Sequence, residues 1–312
     1  MATNKSTIEM PRVKLGNQGL EVSRLGYGCM GLTGTYNNPL SVEEGIKVLK
    51  EAFNKGITFF DTADVYGADH ANELLIGKLL KELPRDKIQL ATKFGIFKIE
   101  PTKVTVKGTP EYARSCCEGS LKRLGVDYID LYYIHRIDTT VPIEDTMEYS
   151  LWTREIEDEL IPLCRELGIG IVPYSPVGRG FFGGKAIKEQ LPANSFLQLN
   201  PRFTGENLTK NKNIYDRVEA IAEKHGCSTA QLALAWVLHQ GNDVVPIPGT
   251  TKIKNLEENV NSVNVKLTKE EIEEISNAVP LDEVAGSKIN EALLLVSWKF
   301  ANTPPKNSNR SS

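Results

Sequence analysis

Apolar, β-branched runs recur along this chain, each closed by a polar group and separated from the next by a segment of helical periodicity. The clearest are ITFFDTADVYG, IQLATKFG and YIDLYYIHR. Near-continuous apolar strands alternating with amphipathic helices build a parallel sheet with helices outside it. Asp61, Lys93 and His135 sit at the ends of these strands, and Tyr66 follows the first by a few residues. Polar groups closing buried strands are costly unless they pair. In a β/α barrel, the strand C-termini are where catalytic groups sit. A carboxylate, a phenol, an ammonium and an imidazole at the same ends of successive strands therefore read as a built site.

The punctuation between the strands is regular. SVEEGIKVLKEAFNKG carries Ser41 as N-cap and Gly56 as stop. The helix ANELLIGKLLKEL ends before Pro84, and TPEYARSCCEGSLKRLG opens with Thr109 and Pro110 and closes at Gly125. LEVSRLGYGCMGL reads as one strand running into a Gly-rich loop. After Thr153, EIEDELIPLCRELG reads as a helix with acidic residues in its first turn, and IGIVPYSPV as a strand. NIYDRVEAIAEKHG buries Ile214, Val218, Ile221 and Ala222 on one face. STAQLALAWVLHQ is a helix, DVVPIPGT a strand and KIKNLEENVNSV a helix. LTKEEIEEISNAV has Thr268 as N-cap with Glu271 at the capping-box position. A doubly wound sheet would carry GxGxxG after its first strand, and GYGCMGL is not that pattern, so a (β/α)8 barrel of TIM type is the expected fold.

The strand count falls short of eight. Six strands are clear, four before residue 136 and two after residue 168, and only RIDTTVPIEDTMEYSLW joins His135 to Thr153. One and a half to two βα units are missing there, with YSLW the remnant of one strand. The expected organisation is a flexible N-terminus over 1–10, one barrel domain over 11–300 that is incomplete, and a disordered tail over 301–312. An interrupted ring exposes strand edges, at a cost of many kcal/mol against total stabilities of about 5–15 kcal/mol.

Composition excludes several function classes. A formal net charge of −3 gives no electrostatic footprint for nucleic acid or anionic membrane. No apolar run approaches the roughly 18 residues that span a bilayer, and the N-terminal segment lacks a signal-peptide core. The expectation is a cytoplasmic protein with a small-molecule partner. Five cysteines, Cys29, Cys116, Cys117, Cys164 and Cys227, lack CxxC spacing and define neither a disulfide framework nor a zinc site. Asp61, Asp64, Asp69, His70 and Glu73 lack EF-hand spacing, and Asp69–His70 reads as a turn, so no metal is expected.

A phenol is a poor acid at pH 7 unless a cation favours its anion. Lys93 beside Tyr66, with Asp61 holding that lysine, and a neutral His135 aimed at a carbonyl oxygen, together make a proton donor in a polarising pocket. SPVGRGFFGGK, Ser175 to Lys185, follows one strand with four glycines, an arginine and a lysine, and suits a pyrophosphate. PIPGTTKIKNLEEN follows the last strand and opens a helix, so Gly249, Thr250, Thr251 and Lys252 form a second anion loop. Arg179, Lys252 and Lys254 suit an additional phosphate and favour NADP over NAD. Tyr174 ends its strand where a flat ring stacks on a nicotinamide. His225 and His239 lie on helices and read as structural.

Taken together these segments resemble the aldo-keto reductase family. FFDTADVYG, ATKFG and YYIHR are similar to its catalytic segments, and PYSPVGRG and PIPGTTKIKNLEENV to its cofactor segments. VKLGNQGLEVSRLGYGCMGL and HRIDTTVPIEDT resemble the plant branch described as auxin-induced or perakine-reductase-like. The resemblance covers residues 11–300 and implies a (β/α)8 barrel with NADPH bound in extended form. It implies Tyr66 as proton donor, Lys93 and Asp61 as its tuning groups and His135 as the residue that orients substrate. Tyr174 would stack on the nicotinamide. Ser175, Pro176, Val177, Gly178, Arg179, Gly180, Phe181, Phe182, Gly183, Gly184 and Lys185 would wrap the pyrophosphate. Thr250, Glu258 and Asn259 would reach the adenosine end. Asn255 stands where many members carry an arginine for the 2′-phosphate, with Arg179 and Lys252 as replacements. The segment absent after Met147 normally supplies the Ser, Asn and Gln side chains that hold the carboxamide. Three readings follow: an NADPH-dependent carbonyl reductase, a nucleotide-binding or interaction protein without productive hydride geometry, and a truncated product that folds poorly.

Overall fold

The computed structural model of the chain describes residues 9–100, 103–136, 138 and 148–288. The expected tail over 301–312 and the segment between Met147 and His135, other than Arg136 and Asp138, lie outside the described residues.

Two short strands, β1 (Arg12–Lys14) and β2 (Glu21–Ser23), form an antiparallel hairpin. The run expected as a single strand from Leu20 thus divides, with β3 (Tyr27–Gly28) joining the main sheet. Ser23 makes the break: its Oγ donates to the carbonyl of Leu25 at 2.7 Å and accepts from Thr58 N at 3.0 Å. Met10, placed by sequence in a flexible end, is buried against Gly56.

The sheet continues through β4 (Phe59–Asp61), β5 (Gln89–Phe94) and β8 (Leu131–Ile134), all parallel in the order β3-β4-β5-β8. Register places Gly28 beside Asp61, Asp61 beside Ala91, and Ala91 beside Leu131. On the other side of β3, Gly26 N donates to Pro246 O at 3.0 Å, and Val245 N donates to Ile171 O at 2.8 Å. Tyr174 bridges Glu148 in parallel. The pairings run as an arc: 148, 171–174, 244–248, β3, β4, β5, β8. Among the described residues the arc does not close into a ring.

The two strands expected after residue 168 appear only as bridges, Ile171 to Val244 and Tyr174 to Glu148. Pro173, Pro246 and Pro248 have no N–H to give, so no regular ladder propagates through them. The YSLW remnant survives as bridge residues Glu148 and Ser150.

Helices lie outside the arc. α1 (Val42–Asn54) starts on a capping box in which Ser41 and Glu44 exchange hydrogen bonds. α2 (Ala71–Leu80) follows a turn in which Asp69 and His70 have left-handed φ. Between β5 and α3 (Pro110–Leu124), β6 (Ile96–Glu100) and β7 (Lys103–Val106) pair antiparallel, two strands that are not among the six expected. Lys98, Glu100 and Lys103 hide their alternation. α4 (Leu160–Leu167) is shorter than expected. Pro162 in its first turn sets where the helix starts, and the acidic residues Glu155 to Glu159 precede it. α5 (Gly205–Lys224) begins earlier than its apolar face implies and buries Ile214, Val218, Ile221 and Ala222. α6 (Thr229–Leu238), α7 (Ile253–Asn261) and α8 (Lys269–Asn277) match their sequence signals, with capping boxes at Ser228 and Thr268. Among the described residues no helix is long and apolar enough to cross a membrane.

Side-chain parity explains where the polar groups go. Phe59, Ala91, Leu131 and Val172 belong to the apolar cluster inside the arc, together with Leu15 and Val22 of the hairpin. Residues two further along a strand face the same way. Asp61, Lys93, Tyr133 and Tyr174 therefore form the next layer up, on the inside. Phe60 and Leu90 face outward and pack with α1 and α2 residues Leu49 and Leu75.

Candidate active site

Lys93 is the hub of the upper layer. Its Nζ lies 2.5 Å from Asp61 Oδ1, 2.8 Å from the carbonyl oxygen of Thr62 and 3.2 Å from the Tyr66 hydroxyl. Asp61 and Lys93 are 2% and 4% exposed, so the ion pair operates in a low-dielectric setting. Tyr133 donates its hydroxyl proton to the other carboxylate oxygen of Asp61. Burial pulls the Lys93 pKa down, but Asp61 and Tyr66 outweigh it and hold the ammonium above its ordinary value. With Lys93 donating to Tyr66, the phenolic proton is directed elsewhere. The His135 ring meets the Tyr66 ring edge-on, with centroids 5.3 Å apart.

Burial pushes the Tyr66 phenol up to about 12; Lys93 opposes this, and Asp61 reinforces it. Lys93 thus tempers the rise as expected of a nearby cation but does not cancel it, because desolvation of a phenolate inside the arc exceeds the pull of one cation paired with Asp61. Burial, then Lys93 and Arg136, push His135 well below its ordinary value, so its imidazole is neutral at pH 7.

These four side chains line a cavity of about 650 Å³ at the C-terminal ends of the strands. The size is typical of small-molecule sites. A wider hollow of about 980 Å³ lies at the opposite strand ends. There, Arg24 is engaged by the carbonyls of Leu238, Gly241 and Val244, and Arg165 by Asp243. It contains none of the candidate catalytic or cofactor-binding residues.

Both candidate anion loops open on the 650 Å³ cavity. Tyr174, Ser175, Pro176, Val177, Arg179, Gly180, Gly183 and Lys185 line it from one side; Gly249, Thr250, Thr251, Lys252, Asn255, Glu258 and Asn259 line it from the other, at the start of α7. Beneath them Gly28 and Gly249 are so close that a Cβ on Gly249 would sit 2.4 Å from the Gly28 carbonyl oxygen. Hydroxyls, amides and ammonium groups facing a cavity beside a helix N-terminus suit a pyrophosphate.

Four members of the first loop are placed differently from the sequence reading. Gly178, Phe181, Phe182 and Gly184 do not line the cavity. Phe181 stacks on Trp152 at 4.2 Å and meets Phe203 and Tyr215 edge-on, and Phe182 is wholly buried beside it. Removing two phenyl rings from water stabilises the fold by about 1.5–3 kcal/mol each, which holds them in the core. Arg179 lines the cavity, but its guanidinium donates to buried Glu148 at 2.9 Å, so its charge is already matched. Lys254 is exposed.

Other residues were not legible as part of the site. Tyr36 and Asn37 reach it from the GLTGTYNN loop, and Lys185 donates to Asn37 at 3.0 Å across the cavity. Glu148 has no signal in its local sequence. Tyr133 does: it lies two residues before His135 and shares its parity. Glu73, one of the acids near Tyr66, is held by Arg123 at 2.6 Å and Thr92 at 2.7 Å. His239 bonds the Ala235 carbonyl within its own helix, a structural setting.

Comparison with known proteins gives a consistent pattern. The aldo/keto reductase family matches this chain in two pieces, residues 24–149 and 146–280. The pieces meet where the sequence is interrupted. A probable aldo-keto reductase 1 from Glycine max is 58% identical over 335 residues, 95% of this chain and 96% of the relative. That alignment is longer than the chain, so some of the relative's residues have no counterpart here. Among solved structures, a glycerol dehydrogenase from Gluconobacter oxydans is 25% identical with a TM-score of 0.74, covering 86% of this chain and 94% of its own. A thermostable aldo-keto reductase in complex with the inhibitor epalrestat is 26% identical with a TM-score of 0.66, covering 86% and 100%.

Proposed function

The chain belongs to the aldo/keto reductase family, and on that premise we propose that it reduces an aldehyde or ketone with NADPH, Tyr66 donating the proton. One observation carries the reading: Lys93 bonds Asp61 and Tyr66 together inside a cavity that both anion loops also line. The residues present fit a dinucleotide, with Ser175, Lys185, Thr250, Thr251 and Lys252 as donors and Tyr174 as the flat surface at the catalytic end. When bound, NADPH supplies the hydride.

The chain's own groups handle the other half of the reaction. A carbonyl oxygen seated between Tyr66 and neutral His135 receives hydrogen bonds from both, and negative charge develops on it as the carbon is reduced. Tyr66, protonated throughout the physiological range, gives its proton to that oxygen. Lys93, positively charged and anchored by Asp61, stabilises the phenolate left behind. Burial of the pair keeps water from competing for the proton. The choice of NADP rests on Lys185 and on Lys252, whose pair with Glu189 is exposed to solvent and opens at little cost; Arg179 is held by Glu148 in a buried pair, so the choice does not rest on that arginine.

The test is NADPH oxidation with a generic aldehyde. Tyr66→Phe is expected to lower kcat by about 10²–10⁴, the usual contribution of general acid catalysis. An unchanged rate removes Tyr66 from the mechanism. NADPH binding without turnover in the wild-type protein selects the nucleotide-binding reading, which the interrupted family match favours.

A further inference from the structure

Arg136 follows His135 at the end of β8 and lines the same cavity. Its guanidinium carbon lies 5.9 Å from the centre of the Tyr174 ring, and its Nε is buried with no hydrogen-bond partner. The other cations around the cavity are matched: Lys93 by Asp61, Arg179 by Glu148 and Lys252 by Glu189. Lys185 donates to the Asn37 amide oxygen. Among the described residues, no carboxylate forms an ion pair with Arg136. Lys185 sits away from this end, on the first anion loop, so among the described residues the catalytic end of the cavity carries one cation without an ion-paired carboxylate, on the residue next to the substrate-orienting histidine.

A guanidinium presents a planar fork of donors that matches a carboxylate in a bidentate pair. Leaving such a group half-buried without an anion is unfavourable, and a ligand that supplies one relieves the cost. We infer that Arg136 anchors a carboxylate on the substrate, so that the preferred substrates are oxo acids rather than neutral aldehydes and ketones of the same size. This rests on the reading of Tyr66 as proton donor at the same cavity. Arg136 takes no part in the chemical step; it selects which carbonyl compounds are held against Tyr66 and His135.

The experiment compares 4-carboxybenzaldehyde with 4-methylbenzaldehyde, close in size and differing in charge, using NADPH and both the wild-type protein and Arg136→Met. The wild type should favour the carboxylate in kcat/KM by about 10–100-fold, the range of one charge-assisted hydrogen-bonded contact. In Arg136→Met the ratio should fall to about one, mainly through KM for the carboxylate, and Arg136→Lys should restore part of it. A ratio that does not change in Arg136→Met overturns the inference while leaving the reductase reading intact. A second arm needs no turnover: calorimetric binding of 4-(hydroxymethyl)benzoate should be detectable in the wild type and lost in Arg136→Met. Equal affinity in both proteins overturns the anchor even if neither aldehyde is reduced, whereas loss of binding without any turnover supports the anchor and sinks the proton-donor reading.

Discussion

Three carboxylates follow one another around Tyr66; two are ion-paired and the third has an unpartnered oxygen. Asp61 is held by Lys93 and Tyr133, and Glu73 by Arg123 and Thr92. Asp64 has a buried Oδ1 with no hydrogen-bond partner, and burial, reinforced by the charge of Glu73, pushes its pKa up to about 6. The folded protein therefore binds the Asp64 proton more tightly than the unfolded chain, where an aspartate titrates near 3.9. Its contribution is intact below about pH 4 and is lost as pH rises through 6; two pKa units correspond to roughly 3 kcal/mol. Asp64→Asn should be more stable than wild type at pH 8 by about 2–3 kcal/mol in urea denaturation, and the advantage should fade towards pH 4. An advantage of equal size at both pH values would rule out titration as its source.

At the scale of elements, the segment that resumes after the interruption repairs part of what is absent. Glu148 bridges Tyr174, Tyr149 and Leu151 join the core, and Trp152 stacks on Phe181. The Glu148 and Arg179 side chains, 2% and 6% exposed, tie this segment to the first anion loop. A buried pair that loses one charge leaves the other uncompensated, at a cost of about 3–5 kcal/mol. Glu148→Gln should lower the unfolding free energy in urea by an amount in that range, through a lower midpoint with the slope of the transition unchanged. A loss under about 1 kcal/mol would mean that solvent reaches Arg179. The helix starts at Ser41, Thr109 and Thr268 were legible, because a cap is a local exchange of hydrogen bonds between a side chain and the next turn. Glu148 was not, because its partner lies 31 residues away and its neighbourhood carries no periodicity.

For the whole molecule, the arc of paired segments encloses an apolar floor, the ion-paired layer and the cavity above them, although among the described residues it does not close. Three buried clusters span its inside and both sets of packed helices. A chain with this much continuous core should unfold cooperatively. If the cavity takes NADPH, a concentration one hundred times its Kd adds about 2.7 kcal/mol, which raises Tm by roughly 4 °C for a protein of this length. Calorimetric scans with and without NADPH measure both quantities. A broad transition that NADPH does not sharpen or shift would favour the poorly folded product, and would leave the cavity without the ligand assigned to it.

The residues themselves determined the strand–helix alternation, the caps and the identities of Asp61, Tyr66, Lys93 and His135, since each depends on side-chain chemistry within a few positions along the chain. Parity then sent those side chains inward, a consequence of two-residue periodicity that is already present in the strands. Only the tertiary structure decided that burial outweighs Lys93 at the Tyr66 phenol, that Arg179 faces Glu148, that two phenylalanines of a glycine-rich loop fill the core, and that Arg136, whose Nε is buried, meets no carboxylate among the described residues. Each of these is a balance between desolvation and a partner distant in sequence, and that balance exists only once the chain has brought the two together.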